Sequence, residues 1–313
     1  MFRTRLVSSD MNGTFTGPTG RLGHTMSHMI AVHAGEEAFK AAKEVFDCQT
    51  SGEATMQEAF GNAAPHYKGM TLREAVEYAI EDPSEPLEGA RHIKYVAGFW
   101  ELQGALSERG MEFLVNSTGY DVTVYAVQEQ ARKKLSDKNP IVDFTIGNHL
   151  LFDDKYSEAA KSAEPGLVAL PFPELFGRQT TLRQMVELYF RNPVAAQHNL
   201  IFDERISTGR IHLGLSNEDA KAELLLAYAW TRVDKIVVPE EIAHIGDTMG
   251  DIGGILGVAR AGGKGIAFNY NDKLENTLRA AITREPELEK KIYFVDPKGP
   301  NSNFMHVLPV LEK

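Results

Sequence analysis

The sequence predicts an α/β fold: a doubly wound parallel sheet carrying a second, helical unit. Three observations lead there. Through the last third of the chain, apolar strand-like runs alternate with stretches of helical spacing, as when parallel strands are joined by crossover helices. The first apolar run, Leu6-Val7 followed by Ser8-Ser9, ends on Asp10 and leads into Met11-Asn12-Gly13-Thr14. That puts a carboxylate at the carboxyl edge of the sheet, where open α/β sheets hold ligands. Between this run and the next strand, residues 17–110 are mainly helical in spacing.

The elements follow in order. Residues 3–9 read as the first strand, and Thr16-Gly17-Pro18-Thr19-Gly20 breaks the pattern as a hinge would. From His24 to Ala79 apolar residues keep helical spacing: Met26 and Ile30, then Phe39, Ala42 and Phe46, then Leu72, Ala75, Val76 and Ala79. Residues 82–86 form a loop, and Val96 to Arg109 a helix stopped at Gly110. Met111 to Val115 is the next strand, with Asn116-Ser117-Thr118-Gly119-Tyr120 at its edge. A helix from Val122 to Leu135 and a shorter strand around Ile141 to Ile146 come next. Residues 153–210, with four prolines and one helix expected at Leu182 to Phe190, read as an elaborated insertion. The last third gives a helix (Asp219 to Trp230), apolar runs at Lys235 to Val238 and Ala243 to Ile245, and the loop Gly246-Asp247-Thr248-Met249-Gly250-Asp251. A helix (Ile252 to Arg260), a strand (Gly265 to Phe268), a helix (Leu274 to Ile282) and a strand (Lys291 to Val295) complete it. Residues 1–16 and 111–313 thus form the α/β core, and 17–110 the helical unit.

Composition bounds the function. The 313 residues are 43% hydrophobic and 24% charged, which suits a globular chain of one large and one smaller unit. A net charge of −10 argues against nucleic acid or an anionic membrane surface as partner. An anionic substrate stays open, because a bound metal reverses the local sign. The single cysteine, Cys48, rules out an internal disulfide and Cys-rich metal modules. With neither a signal-like nor a membrane-spanning apolar run, a cytoplasmic setting is expected.

Four sites then fall at strand ends or helix starts: Asp10, Ser117, Lys221 early in its helix, and Asp247 with Asp251 on one loop. Each alone is a weak signal, and each has a bland alternative. Asp10 or Asp251 could be a capping residue, Ser117 a helix N-cap, and Lys221 a solvated helix lysine. Their order and placement together point to one site. His24, His28 and His33 lack the glutamate of a zinc helix and read as surface or interface histidines. Gly262-Gly263-Lys264-Gly265 lacks the spacing of a phosphate loop and reads as a turn entering a strand.

Taken together these motifs resemble the haloacid dehalogenase-like (HAD) phosphatase superfamily, in its phosphoserine-phosphatase-like branch. Asp10-Met11-Asn12-Gly13-Thr14 resembles that family's Asp-x-Asp-Gly-Thr, and Ser117-Thr118-Gly119-Tyr120 its Ser-Gly-Gly-Phe. Lys221-Ala222-Glu223-Leu224-Leu225 resembles its lysine-led helix, and Gly246 to Asp251 its Gly-Asp-x-x-x-Asp loop. The resemblance implies a Rossmann-like core with a helical C1-type cap over residues 17–110. It implies a Mg²⁺-dependent hydrolase that removes phosphate from a small phosphorylated metabolite through an aspartyl-phosphate at Asp10. Asp10, Asn12, Asp247 and Asp251 would form the metal site, Asn12 through its backbone carbonyl. Ser117, Thr118, Gly119 and Lys221 would hold the phosphoryl group. The cap would read the rest of the substrate through residues such as Arg21, His24, His28, Glu53, His66 and Lys68. A homodimer is left open, with residues 153–210 as a second lid or a dimer surface.

Asn12 departs from the family pattern, which has a proton-transferring aspartate there. An amide does not titrate in this range. The departure fits a substrate with a good leaving group or another proton donor, a phospho-ligand binder with slow turnover, a phosphotransferase to an acceptor other than water, or an engineered trap. Asn12-Gly13 is also a dipeptide prone to deamidation, which would restore an aspartate.

Overall fold

The computed structural model describes residues 3–17, 25–82, 84, 92–168, 205–215, 217–231 and 236–313. Within them lies a sheet of eight strands in the order β4-β5-β3-β2-β1-β6-β7-β8. At its centre is β1 (Leu6–Ser9), every residue of which is buried. It pairs in parallel with β2 (Glu112–Tyr120) on one side and β6 (Ile242–Gly246) on the other. Burial on both faces explains why β1 reads as a continuous run rather than an alternating one. Beyond β6 come β7 (Lys264–Tyr270) and β8 (Ile292–Pro297), also parallel.

On the other flank β3 (Ile141–Asp154) is longer than its sequence pattern suggests. Its first half pairs in parallel with β2, and His149 to Asp154 pairs antiparallel with β5 (Arg205–His212). The strand has two successive partners, so one burial period does not describe it. A two-residue β4 (Gly166–Leu167) and a short helix α7 (Glu158–Ser162) complete this extension. The helix expected at Leu182 to Phe190 lies outside the described residues. Likewise β2 runs on through Ser117 to Tyr120, with a register irregularity between Asn116 and Tyr120, instead of ending at Val115. Of the apolar run at Lys235 to Val238, the described part is irregular chain that enters β6 through a 3₁₀ turn at Pro239–Glu241.

Crossover helices cover the sheet: α5 (Phe99–Glu108), α6 (Asp121–Leu135), α8 (Ala220–Thr231), α9 (Ile252–Arg260), α10 (Asp272–Arg284) and a final turn α11 (Leu308–Leu311). Lys264 opens β7 with its ammonium on the Thr4 hydroxyl and the Leu311 carbonyl, a structural lysine at a strand entrance. Phe99 of α5 stacks on Phe15 and meets Phe113 of β2, so this helix packs on the sheet.

The remaining helices form a separate layer: α1 (Thr25–Ala34), α2 (Glu36–Ser51), α3 (Met56–Tyr67) and α4 (Leu72–Tyr78). Thr55 with Glu58, and Thr71 with Glu74, form capping boxes that start α3 and α4. The layer is attached to the core by main-chain pairing. Gly69 N–H donates to the Ser207 carbonyl at 2.8 Å, and Ser207 N–H donates to the Met70 carbonyl at 2.7 Å. Phe60 and Tyr67 of α3 pack edge-on against Tyr120 at the end of β2. On the far side, the Lys273 ammonium donates to the Ser51 carbonyl at the end of α2.

Candidate active site

The carboxyl ends of β1, β2 and β6 meet beneath the helical layer around a cavity of about 250 Å³. Its lining includes Asp10, Asn12, Gly13, Thr118, Lys221, Asp247 and Asp251 from the core. Asp10 is fixed by its N–H, which donates to the Ile245 carbonyl of β6 at 2.9 Å. Lys221, 1% exposed, sits in the first turn of α8, and the Asn116 amide donates to its carbonyl at 3.0 Å. Its ammonium donates to Asp10 Oδ1 at 3.0 Å and to Asp251 Oδ1 at 2.5 Å. The other oxygen of Asp251 accepts the N–H groups of Asp247 (2.9 Å) and Thr248 (3.2 Å). Asp251 therefore spends both oxygens on orientation, one on Lys221 and one on its own loop. Asp247 Oδ1 accepts from the Thr14 hydroxyl at 2.8 Å.

The charges are strongly coupled through a buried site. Burial pushes Asp10 up to about 6, against the opposing pull of Lys221. Burial, then the neighbouring Asp251 and Asp10, push Asp247 well above the ordinary carboxylate range. Burial disfavours the Asp251 anion most, but Lys221, His244 and the hydrogen bonds from Lys221 and the Asp247 N–H together outweigh it and hold this carboxyl below its usual value. Burial pulls the Lys221 ammonium down, and Asp10 and Asp251 more than reverse it. Asp10 also hydrogen-bonds Ser117, whose hydroxyl oxygen accepts the Gly119 N–H at 3.2 Å. Oxygen atoms of Asp10, Asp247 and Asp251 lie within 4.8 Å of one another.

Backbone geometry makes this crowding possible. Gly13 has φ +86°, and a Cβ there would lie 2.3 Å from Asp247 Oδ2, so only glycine lets that carboxylate in. The Gly13 carbonyl accepts from Asn269 Nδ2 at 2.6 Å, and Asn269 itself has φ +52°. A non-glycine residue held in this region stores strain of the kind found at functional sites.

No family model matches the chain, and a search of the curated proteins finds no match. Solved structures do match along almost the whole length. One described as a phospho-aspartyl intermediate analogue of phosphoserine phosphatase has a TM-score of 0.54 at 16% identity, covering 98% of this chain and 99% of its own. A substrate-bound phosphoserine phosphatase complex has a TM-score of 0.54 at 15% identity, with 99% of both chains covered. A HAD family hydrolase from Salmonella enterica serovar Typhi gives 0.54 at 13% identity, covering 99% of this chain and 72% of its own. The chain has the phosphoserine-phosphatase-like HAD fold.

Within this HAD fold the sequence-derived residues converge: Asp10, Asn12, Thr118, Lys221, Asp247 and Asp251 share one cavity, and Ser117 and Gly119 lie beside it. Of the residues expected to read the rest of a ligand, none of those described lines the cavity. The helical layer contributes Met26, Asp47 and Gln49 to the lining, not Glu53, His66 or Lys68. The Lys68 ammonium donates to the Ala163 carbonyl, and His28 is buried in a 2.5 Å hydrogen bond with Tyr78. Arg21 and His24 lie outside the described residues. The sequence reading missed three groups. Buried His244 of β6 is held neutral beneath the site, burial bringing it down to about 3 while its Nδ1 meets Ser8 Oγ at 3.0 Å. Glu218, just before α8, is pushed up to about 7 by burial. Lys298, after β8, reaches the cavity rim. Lys298 is brought in by topology from the edge strand, whereas Glu218 and His244 sit beside Lys221 and Asp247 in the chain and belong to no motif.

Proposed function

We propose that this protein is a Mg²⁺-dependent phosphatase of small phosphorylated molecules, with Asp10 as nucleophile. The observation that carries this is a buried carboxylate at the sheet edge, Asp10, held by one buried lysine and facing Asp247 in a cavity closed by a helical layer. The helical layer α1–α4 acts as the cap, with α5 belonging to the core because it packs on β2.

The residues present fit a hard divalent cation. The donors are all oxygen: Asp247 uses one carboxylate oxygen on Thr14 and offers the other, and Asp10 offers a carboxylate oriented by Lys221 and Ser117. Asp10, Asp247 and the Asn12 carbonyl would hold Mg²⁺, and Asp251 would position the loop and Lys221. When bound, the ion supplies charge neutralisation for phosphoryl oxygens.

The chain's own groups do the rest. Asp10 attacks phosphorus in line, the ester P–O bond breaks, the departing oxygen takes a proton from solvent because the Asn12 amide has none to give, and an aspartyl-phosphate forms. Lys221 keeps the carboxylate oriented and offsets charge on the transferring group. Ser117 and the backbone N–H groups at Thr118 and Gly119 hold phosphoryl oxygens. Water then attacks phosphorus, the bond to the Asp10 oxygen breaks, and inorganic phosphate leaves with the water proton passed to solvent, which frees Asp10. Hydrolysis of para-nitrophenyl phosphate with Mg²⁺ tests the reading. Wild type turns it over, chelation stops it, and Asp10→Asn has no turnover. Undiminished activity in Asp10→Asn overturns it.

A second reading, a phospho-ligand binder with slow turnover, is favoured by Asn12 alone. It predicts tight phosphate-analogue binding by calorimetry with no product formed. Transfer to an acceptor other than water is recognised by a phosphorylated acceptor among the products.

The pH dependence of metal binding follows from the carboxyl shifts. In the metal-free fold Asp10 is raised to about 6 and Asp247 well above its ordinary value. The folded state keeps protons that the unfolded chain has released, so stability falls as pH rises from about 4. Mg²⁺ competes with those protons. The rise in melting temperature on adding Mg²⁺ is therefore expected to be larger at pH 8 than at pH 5. A differential scanning measurement with the opposite order sinks the metal assignment.

A further inference from the structure

We infer that Lys298 selects phosphate esters carrying a second anionic group, a carboxylate or a second phosphate, which it binds at the rim of the cavity. This rests on the phosphatase reading above.

Two lysines, Lys221 and Lys298, are the cations among the described residues lining the cavity. They are not equivalent. The Lys221 ammonium is used by Asp10 and Asp251. The Lys298 ammonium has no hydrogen bond or ion pair among the described residues, and its residue is exposed. It lies near enough to Asp247 to oppose, weakly, the upward push of burial on that carboxyl.

Its position separates it from the phosphoryl anchors. Ser117 and Thr118 lie on β2, on one side of β1, and Lys298 follows β8, three places away on the other side. At a strand spacing of about 4.8 Å, the two chain positions are separated by the width of several strands. A phosphoryl group held at Asp10 and Ser117 would thus leave Lys298 to a different part of the molecule.

The segment carrying Lys298 is braced. Lys298 N–H donates to the Tyr270 carbonyl at 2.9 Å. Ser302 Oγ donates to Asn269 Oδ1 at 3.0 Å, and the same Asn269 holds the Gly13 carbonyl, so this loop is tied to the loop after Asp10. Asp296, with φ +49°, accepts the Asn303 N–H at 3.0 Å. The ammonium therefore hangs from a fixed base.

Among the described residues, the helical layer lends no cation to the cavity lining. There the cap contributes Asp47 and Gln49, and Asp47 is paired with Lys43 along α2. With Asp47 already matched by Lys43, a second anion on the substrate is drawn to Lys298. This orients the leaving group toward the core loop. It also assigns recognition to the core, whereas the sequence reading expected it from the cap.

The test compares three probes of similar size with Mg²⁺: ethyl phosphate, phosphoglycolate and ethane-1,2-diol bisphosphate. In wild type, kcat/KM for one or both dianion-bearing esters is expected to exceed that for ethyl phosphate, and which one does so identifies the second group. In Lys298→Met the ratio to ethyl phosphate is expected to fall about 10–100-fold, the loss of one charge-assisted hydrogen bond. Lys298→Arg should keep most of it. An unchanged ratio in Lys298→Met, or an equal fall for all three probes, overturns the inference and places Lys298 on the shared phosphoryl or metal side. If no protein hydrolyses any probe, the phosphatase reading fails by itself. Calorimetric affinities of the same three probes for wild type and Lys298→Met then decide the role of Lys298, by the same ratio.

Discussion

Replacing Asn12 with aspartate is expected to raise the turnover of alkyl phosphates such as ethyl phosphate by about 10²–10⁴-fold, the usual contribution of general acid–base catalysis. The substitution is nearly isosteric. It leaves the main chain free to keep the bridge between Asn12 and Thr16 and the same lining position in the cavity. A new carboxyl beside buried Asp10 and Asp247 would be pushed toward its protonated form by burial and like charge, which suits a group that must donate a proton to a departing alkoxide. An aryl ester, whose leaving group needs little protonation, should gain much less. The ratio of the two gains is the informative quantity, measured by steady-state kinetics on the two esters. A gain of less than about threefold on the alkyl ester would show that proton transfer here does not run through position 12, against the usual size of that effect.

The second large effect is on stability. Lys221→Met in the metal-free protein is expected to cost about 3–5 kcal/mol of unfolding free energy, because it leaves Asp10 and Asp251 buried without their cation. Both carboxylates are at most 5% exposed, so water cannot take the place of the ammonium. Turnover should be lost as well. Adding Asp10→Asn to Lys221→Met removes one of the stranded charges and should recover part of the stability. The sign with pH follows from the same source. Without Lys221 the Asp10 carboxyl is pushed up further and Asp251 loses the cation that helps hold it low, so the penalty is largest at neutral pH and shrinks as acid protonates them. Denaturant titrations of the single and double variants at pH 5 and pH 7.5 measure both. A loss below about 1 kcal/mol, the scale of an exposed pair, would show that the lysine is not energetically coupled to the two aspartates.

How much was legible in advance differs between parts of the molecule. The core strands were readable because β1 and β6 are buried on both faces and end on acidic loops. Helices such as α9 were readable because a full helical turn repeats in the sequence, and Ile252–Arg260 matches the expected span. The extension was not, because β3 changes partner from β2 to β5 along its length. In the site, the motif residues announced themselves because they cluster next to glycines. The groups that complete it did not. Lys298 enters from the edge of the sheet, and His244 looks like any residue of an apolar strand. Met26, Asp47 and Gln49 reach the cavity only because the helical layer lies across it, a long-range arrangement that spacing within one helix does not encode. His28 illustrates the converse: the family resemblance made it a candidate for reading a ligand, and its partner is Tyr78 on another helix of the same layer.

The pairing of Gly69 and Met70 with Ser207 has an evolutionary consequence. These bonds run between main-chain groups. Side-chain replacement cannot delete them unless proline removes a donor. The attachment of the helical layer is therefore insulated from side-chain change, while Met26, Asp47 and Gln49, which line the cavity, take no part in it. A lineage could reshape that wall of the cavity by changing those side chains, with the main-chain pairing that aligns helical layer and core inherited intact.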